Sequence, residues 1–134
     1  MDALVNYSLI VNEIKLINHQ ITGGPYSIDP IINRNIIPIS ESKASVTYSL
    51  EISNTPERPF PIDIFVSLTG VFDISKLDKK DVDDFLKVQS CQIIFPQIRS
   101  IVATLTSSAF IQPILLPVID ARKLFITSSD NSDE

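Results

Sequence analysis

Hydrophobic and polar residues alternate along two stretches in the first half of the chain. In SVTYSLEIS every second side chain is apolar, and IDIFVSLTGVFDI largely repeats that pattern over residues 62–74. A period of two is typical of a β-strand that buries one face and leaves the other in water. A short connection that contains the loop TPERPFP lies between the two stretches, whereas a parallel connection needs about a dozen residues. The pattern therefore predicts an antiparallel strand pair.

Two further strands are predicted with less regular patterns. The stretch YSLIVNEIKLI changes phase partway, with Leu9 and Val11 on one face and Leu16 on the other. A β-bulge, or a strand covered on both sides, would produce such a change. The stretch IINRNIIPIS contains Pro38, which cannot donate to a β-ladder, so we expect this strand at an edge of the sheet.

A helical pattern follows the strands. Asp78 precedes it as a candidate N-cap whose side chain can accept backbone hydrogen bonds. Pro96 lies inside the pattern and should kink the helix near Gln92. Apolar residues recur at steps of three and four, which predicts one stripe packed on the sheet: Val82, Phe85, Leu86, Ile94, Ile98, Ile101, Val102 and Leu105. Strands followed by helices predict an α+β domain.

Length and composition fit one folded domain. The chain has 134 residues, of which 44% are hydrophobic and 20% charged, as in ordinary globular proteins. We expect the domain to span residues 1–127, since SSDNSDE at 128–134 has the composition of a disordered acidic tail. The net charge of −5 disfavours nucleic acid as a partner, because phosphate backbones would repel the chain.

The distribution of charge and cysteine predicts a cytoplasmic protein without a membrane span. The start MDALVNYSLIVNEI lacks the positive charge of an export signal. Residues 100–119 are uncharged and numerous enough to cross a bilayer, but their hydroxyls, glutamine and prolines argue against it. A single cysteine, Cys91, excludes an intrachain disulfide and suits a reducing compartment.

Candidate catalytic chemistry is sparse. His19 is the only histidine, and Cys91 lies among apolar residues that would raise the pKa of its thiol, so we interpret them as a loop histidine and a core thiol. The acidic residues Asp81, Asp83 and Asp84 favour the positive end of a helix dipole. A metal site is their alternative role, although no histidine or cysteine is nearby. We predict no catalytic residues, no metal and no cofactor.

Three motifs from residue 70 onwards are more informative: GVFDISKL, CQIIFPQIRSIV and SSAFIQPILLPVIDARKLF. Their order and spacing resemble the C-terminal half of the SecB family of protein-export chaperones. In that family a glycine-aromatic pair ends the fourth strand, a long helix carries Phe-Pro and then Arg, and a proline-rich crossover leads to a second helix. The matching residues are Gly70, Phe72, Phe95, Pro96, Arg99, Pro113, Leu115, Pro117, Asp120, Leu124 and Phe125.

The resemblance implies a fold and an assembly. It implies a four-stranded antiparallel sheet with a long kinked helix and a short C-terminal helix on one face. It also implies dimers through the sheet that pair into a homotetramer through the long helices. The oligomer interface would then include Ile94, Ile98, Ile101 and Leu105.

The resemblance further implies an ATP-independent chaperone that holds unfolded or precursor polypeptides in extended form. The client-binding groove would be formed by Phe110, Ile111, Leu115, Leu116, Val118, Phe125 and Leu9. Docking on the SecA translocase is less well matched, since the family uses acidic residues on the sheet. This chain has Phe65 beside Asp63 there, and Lys15 and His19 on the first strand.

Two other classes of function stay open. A dedicated SecB-like adaptor would bind a single partner, such as an antitoxin, rather than many clients. An enzyme would need catalytic carboxylates in a cleft, for which Asp63 or Asp73 are the candidates. The number of proteins that the chain captures from its own cell, many or one, would distinguish the general chaperone from the adaptor.

Overall fold

The computed structural model describes residues 5–20, 26, 28–57, 59–116 and 120–122. Four strands form one antiparallel sheet in the order β1-β4-β3-β2: β1 (Tyr7–Asn18), β2 (Ile31–Pro38), β3 (Lys43–Ile52) and β4 (Ile62–Asp73). The helical part follows as α1 (Lys79–Asp84), a π-helical turn (Phe85–Gln89) and α2 (Ser90–Ser108). This arrangement confirms the predicted α+β class, the antiparallel β3-β4 pair and the edge position of β2.

The core lies between α2 and one face of the two central strands. Every second residue of β3 and β4 is buried, and the register pairs Val46 with Gly70 and Leu50 with Val66. The helix buries its predicted stripe against this face, with Ile94, Ile98 and Val102 inaccessible to solvent. The opposite face of the sheet, here called the open face, carries the polar positions of both strands.

A β-bulge accounts for the phase change in β1. The pairing with β4 shifts between Val11 and Glu13, so that Asn12 is an additional residue. Leu9 before the bulge and Leu16 after it therefore pair with core residues of β4 and lie on the helix-covered face. The predicted bulge is confirmed, and its effect is to keep two separated apolar segments on the same side of the sheet.

The helix differs from expectation in two details. Asp78 occupies the N-cap position with extended backbone, but its side chain makes no capping hydrogen bond; its carbonyl accepts the Asp81 N–H at 2.8 Å instead. Pro96 lies within α2 as expected, and a π-helical turn that the sequence did not predict precedes α2 and ends at Gln89.

Gly70 allows α2 to approach the sheet closely. A Cβ atom at this position would lie 2.8 Å from the Phe72 ring and 3.0 Å from Cδ1 of Ile94. The Phe72 ring also packs edge-on against Phe85, with centroids 5.4 Å apart. Glycine at 70 therefore makes room for the aromatic ring that joins the sheet to the start of the helix.

The C-terminal part of the chain is described only over residues 120–122. Arg122 donates its backbone N–H to Oδ1 of Asp120 at 3.0 Å, and its guanidinium lies 3.3 Å from Asp84 of α1. The predicted short C-terminal helix and the predicted tail at 128–134 lie outside the described residues. None of the helices described combines the length and hydropathy needed to cross a membrane.

Candidate functional site

The end of α2 places an aromatic side chain in water. Ile111 N–H donates to Thr106 O at 3.0 Å and Phe110 N–H donates to Ser107 O at 3.1 Å, which is the hydrogen-bond pattern of a Schellman motif. Phe110 occupies the left-handed position of that motif with φ of 58°, where glycine is usual. Its side chain is 98% exposed.

The crossover segment, residues 110–116, is fixed to α2 by two side chains. The hydroxyl of Thr106 accepts the Ile114 N–H at 3.0 Å, and Nε of Arg99 donates to Leu116 O at 3.1 Å. Ile114 and Leu116 are buried, whereas Leu115 between them is 77% exposed. The segment thus presents one leucine outward between two anchored residues.

An apolar groove runs beside the crossover segment and encloses about 280 Å³. It is lined by Tyr26, Ile28, Phe60, Pro61, Ile62, Ile111, Gln112, Pro113, Ile114 and Leu115. The ring of Tyr26 packs edge-on against that of Phe60, with centroids 6.0 Å apart. None of these described lining residues carries a charge, so the groove suits an apolar ligand.

Phe60 and Pro61, from the loop before β4, belong to the second wall of the groove, far in sequence from the crossover segment. Asn54 accepts the Phe60 N–H through Oδ1 at 3.1 Å and donates its own N–H to Asp63 at 2.7 Å. These bonds join Asn54 to Phe60 across the loop and tie Asn54 to the start of β4. The sequence identified this stretch only as a connection, and its aromatic residue beside prolines was the available signal.

The predicted groove residues separate into different environments. Phe110 and Leu115 are exposed, Ile111 is half-buried in the groove wall, and Leu116 is only 5% exposed. Leu9 is half-buried on β1 and does not line the groove. Val118 and Phe125 lie outside the described residues.

The predicted interface residues also separate. Ile94 and Ile98 are 0% exposed in the core of the single chain, so neither side chain can contact a second chain directly in this conformation. Ile101 and Leu105 are half-buried at the margin of that core. Only the second pair is placed where a neighbouring chain could reach it.

β1 carries the largest group of exposed apolar residues in the described sheet. They lie on both faces of this edge strand and are each about half exposed: Tyr7, Ile10, Val11, Ile14 and Ile17. The sequence pattern places apolar residues on two sides of this strand, but of these only Leu9 was predicted to belong to a site. A two-sided apolar edge strand is a typical protein contact surface.

The open face carries the carboxylates considered for catalysis. Asp63 lies 2.9 Å from Nε2 of His19, and the Asn54 N–H, followed by His19, lowers the pKa of Asp63. Asp73 accepts hydrogen bonds from the backbone and hydroxyl of Ser75. The two aspartates lie near opposite ends of β4, roughly 30 Å apart along the strand, and therefore cannot act on one substrate atom.

No other cluster in the described part of the chain suggests metal or nucleophile chemistry. No group of three or more histidine, cysteine and acidic side chains there could hold a metal ion. Cys91 is buried, and burial raises the pKa of its thiol. The neighbouring Tyr48 hydroxyl lies 3.1 Å from Ser90 Oγ, and burial raises its pKa to about 12. These are neutral core groups.

A known protein family matches most of this chain. The family model described as SecB, preprotein translocase subunit SecB, matches residues 24–132, most of the chain. The chain belongs to the SecB family. The match includes the crossover segment and the whole of α2, so the apolar groove lies within the SecB-like part of the molecule.

Curated relatives are similar over part of their length. The protein-export protein SecB of Orientia tsutsugamushi is 26% identical over 108 residues, which cover 80% of this chain and 66% of the relative. The corresponding protein of Rickettsia felis is 29% identical over 99 residues, covering 73% and 65%. An uncharacterized protein of Methanocaldococcus jannaschii is 27% identical over 74 residues, covering 55% and 48%. The chain thus spans about half to two thirds of these relatives.

A solved SecB-like structure has the same fold. The SecB-like chaperone of Mycobacterium tuberculosis, solved in complex with a ChAD peptide from an antitoxin, superposes with a TM-score of 0.71. The superposition covers 86% of this chain and 90% of that chain at 13% sequence identity. At this identity the likeness concerns the fold, which confirms the SecB-like architecture expected from the sequence motifs.

Proposed function

We propose that this SecB-family chain is a cytoplasmic molecular chaperone that holds unfolded or precursor polypeptides in extended form without ATP. The observation that carries the proposal is the exposure of Phe110 and Leu115, at 98% and 77%, beside an uncharged groove. Exposed apolar side chains of this size on one short segment are typical of binding surfaces.

The chemistry of the groove suits clients of variable sequence. Aliphatic and aromatic side chains contact many apolar partners, because they require no matched hydrogen bonds. Pro113 restricts the crossover segment, so little conformational entropy is lost when a client binds. A role in protein export is supported by the names of the curated relatives from Orientia tsutsugamushi and Rickettsia felis.

A dedicated chaperone for one partner is the second candidate. It is favoured by the solved neighbour, whose bound peptide comes from an antitoxin. Docking on SecA has weaker support, because the Asp63 carboxylate already accepts hydrogen bonds from Asn54 and His19. The number of proteins captured by the chain from its own cell would distinguish a general holder from a dedicated one.

We further propose a homotetramer, built as a dimer of dimers. The exposed apolar residues of β1 support pairing through this edge of the sheet, and Ile101 and Leu105 support contact through α2. Closed symmetry would cover both of these surfaces in an assembly of defined size.

The adjacent leucines of the crossover segment give the test of the holding function. Leu115→Ser changes an exposed residue and should alter the free energy of unfolding by less than about 0.5 kcal/mol. It should nevertheless reduce suppression of aggregation of an unfolded protein, because an apolar contact is lost. Leu116→Ser should cost about 2–5 kcal/mol of stability, because this side chain is buried.

Melting, oligomeric size and aggregation suppression are measured on the same preparations of both variants. Full holding activity in a folded Leu115→Ser variant would remove the crossover segment from the mechanism. Leu116→Ser is the matched control, since it changes the same residue type one position away and separates loss of fold from loss of contact.

A further inference from the structure

Thr106 is a buried polar residue in the apolar stripe of α2. It follows Ile94, Ile98 and Val102 at steps of four residues, and like them it is 0% exposed. Its hydroxyl lies 2.9 Å from Val102 O, to which it donates, and accepts the Ile114 N–H at 3.0 Å. The side chain is therefore satisfied by its own helix on one side and by the crossover segment on the other.

Thr106 contacts the crossover segment twice. Its backbone carbonyl accepts the Ile111 N–H at 3.0 Å, and its hydroxyl accepts the Ile114 N–H at the same distance. One residue of α2 thus fixes both ends of the stretch 111–114, which forms one wall of the apolar groove. Arg99 adds a bond to Leu116 O, so that hydrogen-bonded residues flank Leu115 on both sides.

We infer that Thr106 is a positioning residue for client binding and that it acts through its hydroxyl. By holding Ile114 inward, it sets the alternation that directs Leu115 outward and keeps the groove wall in place before a client arrives. This inference rests on the proposed holding function. Its physical basis is preorganisation, because a segment that is already ordered loses less entropy on binding.

The test compares three threonine variants. Thr106→Val keeps the shape of the side chain but leaves the buried Ile114 N–H without its acceptor. Thr106→Ser retains the hydroxyl and should rescue the bond. Thr104→Val makes the same chemical change on an exposed residue of the same helix and serves as the matched control.

The probe is reduced and carboxymethylated pancreatic trypsin inhibitor, a permanently unfolded polypeptide, titrated at a temperature where each variant is folded. We expect Thr106→Val to weaken its binding about tenfold, and Thr106→Ser and Thr104→Val to bind as the wild type does. Amide hydrogen exchange without client should accelerate at Ile114 in Thr106→Val alone.

The outcomes separate the inference from the proposed function. If the wild type does not bind the probe, the holding function fails, while exchange at Ile114 still reports whether Thr106 orders the segment. If the wild type binds and a folded Thr106→Val binds equally well, the positioning role is wrong. If Thr106→Val does not fold, Thr106→Ala replaces it in both measurements, and unchanged probe affinity together with unchanged exchange at Ile114 overturns the inference.

Discussion

Phe110 combines two features that stability alone would not favour. Its φ of 58° places it in the left-handed region, which costs a non-glycine residue about 1–2 kcal/mol. Its ring is 98% exposed and therefore recovers almost nothing by burial. A strained, exposed aromatic residue that directly precedes the groove residue Ile111 is better explained by a contact with a partner than by packing.

Replacing Phe110 by glycine should therefore affect stability and activity in opposite directions. Relief of the left-handed strain should stabilise the fold, although the greater freedom of glycine in the unfolded chain offsets part of the gain. We expect the free energy of unfolding to stay constant or rise by up to about 1 kcal/mol, while client holding decreases. Denaturant unfolding and aggregation suppression measure the two effects.

Phe110→Ala is the control for this change. It removes the ring but keeps a Cβ atom in the left-handed position, so holding should fall without any gain in stability. A Phe110→Gly variant that is clearly less stable than the wild type would contradict the strain assigned to this residue.

The environment of neighbouring residues was the least predictable part of the site. Leu115 and Leu116 are identical in type and adjacent in sequence, yet one is exposed and the other buried. No periodicity distinguishes them, because the prolines interrupt any regular pattern. Their orientation follows from the bond between Thr106 and Ile114, which joins residues eight positions apart. A polar residue inside an apolar stripe was the one sequence signal for it.

At the scale of elements, sequence patterns were informative where they had a period. The alternation in β3 and β4 predicted both strands, and the phase change in β1 predicted its bulge, because a bulge shifts a period of two by one residue. The π-helical turn at Phe85–Gln89 was not predicted. One wider turn scarcely changes helical spacing, so the apolar pattern carries no signal for it. Beside it the Ser90 hydroxyl donates to Leu86 O at 2.6 Å.

The buried Tyr48 hydroxyl on β3 lies 3.1 Å from Ser90 Oγ, directly after this turn. Its titration predicts an alkaline transition in the stability of the fold. Burial raises the pKa of Tyr48 to about 12 from its ordinary value of 10.0. The folded protein therefore holds the phenolic proton more tightly than the unfolded chain does. This contribution to stability is fully present below pH 10 and is lost as the pH rises towards 12.

Tyr48→Phe should flatten the decline in unfolding free energy between pH 10 and 12, because it removes the titrating group. Denaturant midpoints measured at several pH values follow this decline. Tyr7→Phe is the control, since it deletes a phenolic hydroxyl from an exposed residue and retains the ring. An equally steep decline in Tyr48→Phe and the wild type would show that other groups govern the alkaline transition.

At the scale of the whole molecule, β1 is the clearest unpartnered surface in the described residues. It is an edge strand in which apolar side chains on both faces are about half exposed. A long apolar edge favours pairing with a second chain. That chain can bond to the backbone donors and acceptors of the edge strand and cover its apolar side chains at the same time. The family relationship was predictable from short motifs, but this surface required the register, which places Val11 before the bulge and Ile14 after it on the same face of the sheet.

Pairing through β1 predicts that a charge on its helix-covered side will reduce the oligomer. Ile14 and Glu13 are consecutive and both exposed, but the register places Ile14 opposite buried Val66 and Glu13 opposite Ser67 on the open face. Ile14→Lys should therefore convert the proposed tetramer into smaller species, because a lysine ammonium would be desolvated in an apolar contact. Glu13→Lys introduces the same residue on the other face and should leave the size unchanged. Light scattering at micromolar concentration measures both, and a monomeric wild type would exclude the assembly altogether.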